Sequence, residues 1–159
     1  DTITNQTPHP QPYMLLYHIN LGYPFFSEHL DLRLPAGLQT YTEGGYISVD
    51  PADYSRFPAP QAQAQEQDYN HRLPDRNGRC SLTAENRALG IGLKLSYTNV
   101  TLPYLHQWIC LRSGDYVMGL EPTNNRVDGH AQASAEGSTP VLSPFETIAT
   151  ELTLSLYSL

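Results

Sequence analysis

The sequence predicts an all-β protein, and three observations carry that prediction. Hydrophobic and polar residues alternate with a period of two along several stretches. Thirteen prolines and eleven glycines fall mostly between those stretches, in "PHPQP", "RFPAP", "LPDRNG" and "EGSTPVLSP". No segment sustains the 3.6-residue period of an amphipathic helix. A length of 159 residues with 40% hydrophobic content suits one globular domain, or a piece of a larger one, with a real core.

The first element is "PYMLLYHINLGYP", residues 12–24. Alternation puts Met14, Leu16, His18 and Asn20 on one side and Leu15, Tyr17 and Ile19 on the other. Both sides are apolar enough to predict a central strand covered on each face, with His18 and Asn20 pointing into a sheltered space. That pair serves a ligand, or else is a buried histidine satisfied by a backbone carbonyl and an asparagine. Next, "DPADYSRFPAPQAQAQEQDYNH", residues 50–71, is polar and rich in Pro, Ala and Gln, which predicts a long exposed loop. Such a loop covers a site or is a variable surface excursion.

In "ALGIGLKLSYT" the residues Leu89, Ile91, Leu93, Leu95 and Tyr97 share a face opposite Gly90, Gly92, Lys94 and Ser96, and those small residues predict a close neighbour. The stretch "YLHQWICLRSGDYVMGLEPTNNRVDG" reads as two strands joined by the turn "SGD". His106, Trp108, Cys110 and Arg112 share a face of its first strand, and Val117, Gly119 and Glu121 share a face of its second. Glu121 closes an apolar strand beside a bare glycine, where desolvation would raise its pKa and make it a better base. The alternative is a solvated strand-end glutamate. The closing "ETIATELTLSLYSL" places Ile148, Leu152, Leu154 and Leu156 inward and Thr147, Glu151, Thr153 and Ser155 outward.

Charge and cysteine usage narrow the function classes. A formal charge of −7, with eight arginines and a single lysine, provides no basic block for a phosphate backbone, so nucleic acid is not an expected partner. The apolar runs are too short to cross a bilayer, so no membrane association is expected. Cys80 and Cys110 lack CxxC spacing, which implies neither a zinc knuckle nor a disulfide framework and fits a reducing cytoplasm. The start at "DTITN", without a methionine, fits a chain from which upstream residues have been removed.

Several of these stretches, "LLYHINLGYP", "EQDYNH", "LTAENRALGIGLKLSY", "LPYLHQW" and "GDYVMGLEPTNN", together resemble the C-terminal half of an aldose 1-epimerase-like protein, most nearly its DUF4432 branch. The resemblance runs over nearly the whole chain. It implies an antiparallel β-supersandwich of the galactose mutarotase-like type, of which residues 1–159 would be a C-terminal portion, with a sugar lying across one sheet. It further implies that His18 protonates the ring oxygen of an aldose and that Glu121, in its "LEP" motif, takes the anomeric proton. Residue pattern and resemblance therefore select the same two residues.

A histidine near its ordinary pKa of about 6.5 and a glutamate lifted above about 4.3 would exchange protons readily at neutral pH, with no metal or organic cofactor. Asn20 would orient His18 or bind a hydroxyl, and Trp108 would stack on the sugar or belong to the core. Gln107, Asn124, His106 and Arg112 are further hydroxyl-binding candidates. The implied partners are a monosaccharide and the front half of the fold, which in related mutarotases supplies an arginine and another histidine. An acidic chain with one lysine favours a neutral sugar over a phosphosugar.

The rival from another class is a non-catalytic carbohydrate-binding module, which needs aromatics and hydrogen bonders but no acid set opposite a base. A glycoside hydrolase or lyase fragment would need a second carboxylate, for which Asp115 and Glu43 are the candidates.

Overall fold

The computed structural model describes residues 1–42, 45–46, 50–74, 77–127 and 129–159. In chain order the elements are β1 (Thr2–Thr4), β2 (Gln11–Pro12), β3 (Ile19–Gly22), β4 (Leu30–Arg33), β5 (Gln39–Thr42), β6 (Gly45–Tyr46), α1 (Pro51–Ser55), β7 (Gln67–Arg72) and β8 (Arg79–Asn86). They continue with β9 (Ile91–Thr98), β10 (Tyr104–Arg112), β11 (Asp115–Thr123), α2 (His130–Ala135), β12 (Val141–Leu142), β13 (Thr147–Ala149) and β14 (Leu152–Ser158). Among the described residues no helix is long and apolar enough to cross a membrane.

Two antiparallel sheets build the core. One has six strands in the order β3-β11-β10-β7-β5-β6, and the other has four in the order β14-β9-β8-β4. The inward rows of the first, Leu105, Ile109 and Leu111 on β10 with Met118 and Leu120 on β11, meet Leu82, Ala84, Leu93, Leu95 and Tyr97 of the second. Ile109, Leu120 and Leu95 are fully buried, and each contributes roughly 2 kcal/mol through its transfer from water. Phe26 lies between the rings of Phe57 and Tyr116, with centroids 4.8 and 4.7 Å away. The fold is therefore the antiparallel all-β architecture that the alternation predicts.

The β10–β11 hairpin closes through Ser113 and Gly114, with Arg112 paired to Asp115. Gly114 has φ +97°, a conformation open to glycine at little cost. Asp115 thus belongs to the strand rather than to the turn. On β9 the predicted close neighbour of the small residues is the ring of Tyr157, which lies directly over its cross-strand partner Gly92.

Three expectations need correction. The segment at 12–24 is not a central strand covered on both faces. Its strand, β3, is an edge that among the described residues pairs only with β11, and Met14, Leu16, His18 and Asn20 are exposed. Its other side does face the core, where Leu15, Tyr17 and Ile19 are half-buried. Residues 50–71 are not one exposed loop. Asp50 caps α1 by accepting the Ala52 amide at 2.9 Å, Pro51 opens the helix, Tyr54 and Phe57 are buried, and β7 begins at Gln67.

The third correction concerns the leucines. Leu154 and Leu156 occupy the inner row of β14, paired with Leu95 and Leu93, yet they are 48% and 72% exposed. Leu89 and Ile91, at the tip of the β8–β9 hairpin, are likewise exposed. Alternation assigned the face correctly, but the six-stranded sheet does not extend over them.

Candidate active site

The outer face of the six-stranded sheet carries the polar residues. On β10 the odd positions Leu105, Gln107, Ile109 and Leu111 face the core, so His106, Trp108, Cys110 and Arg112 take the other side. On β11, Gly119 and Glu121 share that side, because His106 is paired with Glu121 and Trp108 with Gly119. Register continues to β3, where Asn20 pairs with Gly119 and Ile19 with Leu120, and this sets His18 beside Glu121. The segment before β3 is tied down by the Tyr17 amide, which donates to the Pro122 carbonyl at 3.0 Å.

His18 Nε2 lies 3.0 Å from Glu121 Oε1. The histidine side chain is 49% exposed and the glutamate side chain 5%, so one partner can turn away while the other is fixed. Glu121 Oε1 is buried with no hydrogen-bond partner among the described residues, since the contact to His18 has ion-pair distance without hydrogen-bond alignment. A buried carboxylate oxygen without a donor is costly and is matched by an incoming O–H. Burial holds the Glu121 carboxyl above its ordinary value, against the opposing charges of His106 and then His18, while Asp68 adds to the rise.

Gly119 makes this geometry possible. A Cβ at that position would overlap Glu121 Oε1 and stand 3.4 Å from His18 Cε1, so the carboxylate folds back over a bare backbone. Trp108 is half-buried on the same face, with its ring edge-on to His18 at 6.5 Å. Its Nε1 donates to Glu66 Oε2 at 3.1 Å, and Arg112 donates to the other oxygen of Glu66 at 2.8 Å. Asn20 is exposed on this face two pairs away from the His18–Glu121 contact. The structure thus brings His18, Asn20, Trp108, His106 and Glu121 together.

Two predicted substrate-binding residues are elsewhere. Gln107 faces the core and is fully buried, with its amide committed to the Tyr54 carbonyl at 2.8 Å and Met118 Sδ at 3.2 Å. Its oxygen accepts from His71 Nε2 at 3.2 Å, and the Thr40 hydroxyl bonds His71 Nδ1 at 3.0 Å. Burial pushes the pKa of His71 down to about 4, which keeps this inner network neutral. Asn124 is also buried. It accepts the Leu15 amide at 2.8 Å and donates to the Tyr13 carbonyl at 3.2 Å, pinning the segment that precedes His18. Both side chains are structural because their hydrogen-bonding capacity is used within the chain.

Asp115 sits at the opposite end of β11 from Glu121, about 20 Å along the strand. Glu43 lies outside the described residues. The sequence reading missed Glu66, Asp68 and Asn70, which the alternation of "EQDYNHR" puts on the outer face of β7 or just before it. With polar residues on both faces, that stretch shows no hydrophobic period.

Comparison with known proteins agrees with this architecture. A putative aldose 1-epimerase from Klebsiella pneumoniae superposes on the chain with a TM-score of 0.83 at 21% identity, over 98% of this chain and 41% of that one. A galactose mutarotase-like protein from Clostridium acetobutylicum superposes with a TM-score of 0.63 at 14% identity, over 99% of this chain and 51% of that one. At these identities the likeness is one of fold, and the chain spans only about half of each neighbour's length. No curated protein matches it. Residues 1–156 match the domain of unknown function DUF4432, so the chain belongs to the DUF4432 family and has the galactose mutarotase-like fold.

Proposed function

We propose that the chain carries the acid–base pair of an aldose 1-epimerase-like isomerase, with Glu121 as base and His18 as acid. The observation that supports this most directly is the buried, donor-less Oε1 of Glu121 on the outer sheet face, in contact with a half-exposed imidazole. The two groups touch, so there is no room for a sugar ring between them, and a sugar must displace His18 to enter. The exposure of His18 and its place ahead of the β3 pairing make it the mobile partner.

The reaction starts with Glu121 ionised and His18 protonated. Glu121 Oε1 takes the proton of the anomeric hydroxyl, and its O–H electron pair becomes the second bond of the C1 carbonyl. The bond between C1 and the ring oxygen breaks, and its electrons take the proton from His18 Nε2. After rotation about C1–C2, the reverse transfers close the ring as the other anomer and restore both groups. Trp108 offers a ring face for stacking and Asn20 a hydroxyl contact. The net charge of −7 with a single lysine favours a neutral aldose over an anionic one.

A second element of the proposal is that residues 1–159 form the C-terminal half of a single mutarotase-like sandwich completed by a preceding half. The exposed inner leucines of β14 and the 41% and 51% coverage of the two solved neighbours support it. We place the protein in the reducing cytoplasm, in keeping with Cys80 and Cys110 being buried and, among the described residues, not joined in a disulfide.

Polarimetry of freshly dissolved α-aldoses tests the chemistry, on this chain and on the chain joined to its front half. Acceleration of mutarotation should fall at least about 100-fold in both His18→Ala and Glu121→Gln. Equal rates in wild type and both variants would refute the assignment. Trp108 is the single tryptophan, so its fluorescence should respond to the sugars that are turned over. Binding without turnover would favour the carbohydrate-binding module.

A further inference from the structure

A second imidazole stands in line with the proposed pair. Register pairs Tyr41 with Asn70, Asn70 with His106, and His106 with Glu121, so strands β5, β7, β10 and β11 present one cross-strand row that ends at His18. His106 Nδ1 lies 2.7 Å from Asn70 Oδ1. An amide oxygen only accepts, so Nδ1 carries the hydrogen, and Asn70 is itself buried and fixed. Nε2 faces Asp68 Oδ1 at 3.4 Å. Opposite that carboxylate a bare Nε2 is repelled and a protonated one is attracted. The His106 side chain is 12% exposed, against 49% for His18.

We propose that His106 is a positioning residue acting through Glu121, its imidazolium keeping the carboxylate ionised and ready to accept the anomeric proton. The proposal rests on the reading of Glu121 as the base. Burial works against ionisation of Glu121, and His106 provides the largest opposing influence, ahead of His18. When a sugar enters and His18 turns toward the ring oxygen, Glu121 loses that cation. His106, held by Asn70 and balanced by Asp68, stays. Among the described residues the other charged or titratable groups on this face are Glu66 and Arg72 at the two ends of β7, Tyr104, Cys110 and Arg112 of β10, Asp115 of β11 and Tyr41 of β5, over whose ring Arg126 lies at 4.7 Å.

The test is His106→Gln, which keeps an N–H for Asn70 and removes the titratable charge. The Glu121 carboxyl is followed by carbon-13 NMR, and turnover by polarimetry across pH. Removing a positive neighbour makes Glu121 harder to ionise, so its titration midpoint and the acid limb of the rate profile should both move upward, the limb by about one pH unit. A folded His106→Gln protein with an unmoved Glu121 midpoint would overturn the proposal.

Should that variant fail to fold, the wild-type protein still decides. Its Glu121 resonance should show a second inflection where the His106 ring titrates, with Nε2 losing its proton and Nδ1 keeping it. A single inflection, or loss from Nδ1 first, would overturn the proposal. The NMR readouts need no turnover. Linkage between the two residues in a protein that moves no anomer would sink the epimerase reading and leave the charge relation standing.

Discussion

Leu95 and Leu154 face each other across β9 and β14, on the same side of the same sheet, and differ almost completely in environment. Leu95 is fully buried and Leu154 is 48% exposed; two pairs further along, Leu93 is 4% exposed and Leu156 72%. The six-stranded sheet covers β9 and stops short of β14. An inward-facing position and a buried position are therefore separate facts: strand pleat sets the first, and the extent of the opposing layer sets the second. The contrast can be broken directly by truncation. Leu95→Ala should lower unfolding free energy in urea by about 3 kcal/mol through lost transfer energy and a cavity. Leu154→Ala should cost less than about 1 kcal/mol, and similar losses at both sites would mean that β14 is covered in solution.

A smaller effect separates the two faces of β11. Met118 and Leu120 point inward and hold the sandwich, while Gly119 and Glu121 point outward and hold chemistry. Gly119→Ala adds one methyl group where Glu121 Oε1 now lies, and the displaced atom is the end of a flexible side chain. Stability should change by about 1 kcal/mol at most, while turnover of any aldose substrate falls by about tenfold or more. A variant that loses fold and turnover together would show that Gly119 supports packing rather than the carboxylate.

The positions of His18, Glu121 and Gly119 were legible because they interrupt or close apolar alternation, which leaves a polar group with a recognisable place. Gln107 and Asn124 were misjudged for the converse reason. A polar side chain looks the same in sequence whether it faces a ligand or a buried carbonyl, and both of these satisfy their own chain. Asp68 and Asn70 escaped notice because β7 has polar residues on both faces, its inner His71 being neutralised by burial. The overhang of β14 lay beyond reach, since nothing in "ELTLSLYSL" encodes the width of the facing sheet.

Opposite faces of the six-stranded sheet also titrate with opposite sign. His71 has a folded pKa of about 4, depressed below its ordinary value of about 6.5. The unfolded chain binds the extra proton, so this contribution to stability is complete above about pH 6.5. It is lost as pH falls toward 4, a difference on the order of 3 kcal/mol. Glu121 is raised instead, so below the unfolded glutamate value it contributes fully, and that contribution is lost as pH rises through its folded value. Urea unfolding between pH 4 and 7 should show stability rising with pH in Glu121→Gln more steeply than in wild type. An identical slope would mean that Glu121 ionises in the folded chain as it does in water.

The smallest change in stability belongs to the leucines that nothing covers, and there the more informative readout is association. Leu154→Thr with Leu156→Thr puts β-branched residues on an edge strand in place of two exposed apolar side chains, so unfolding free energy should move by no more than about 0.5 kcal/mol. Binding of an apolar dye should fall, because a paired row of leucines on an unpaired edge is the kind of surface such probes find. In a chain joined to its front half the same double substitution should cost several times more, since the leucines would then lie inside a completed sandwich. The exposed row would in that case be half of an interface, which accounts for leucine rather than a charged residue on an open edge. If joining the front half leaves the cost unchanged, the two halves meet elsewhere and β14 ends the fold.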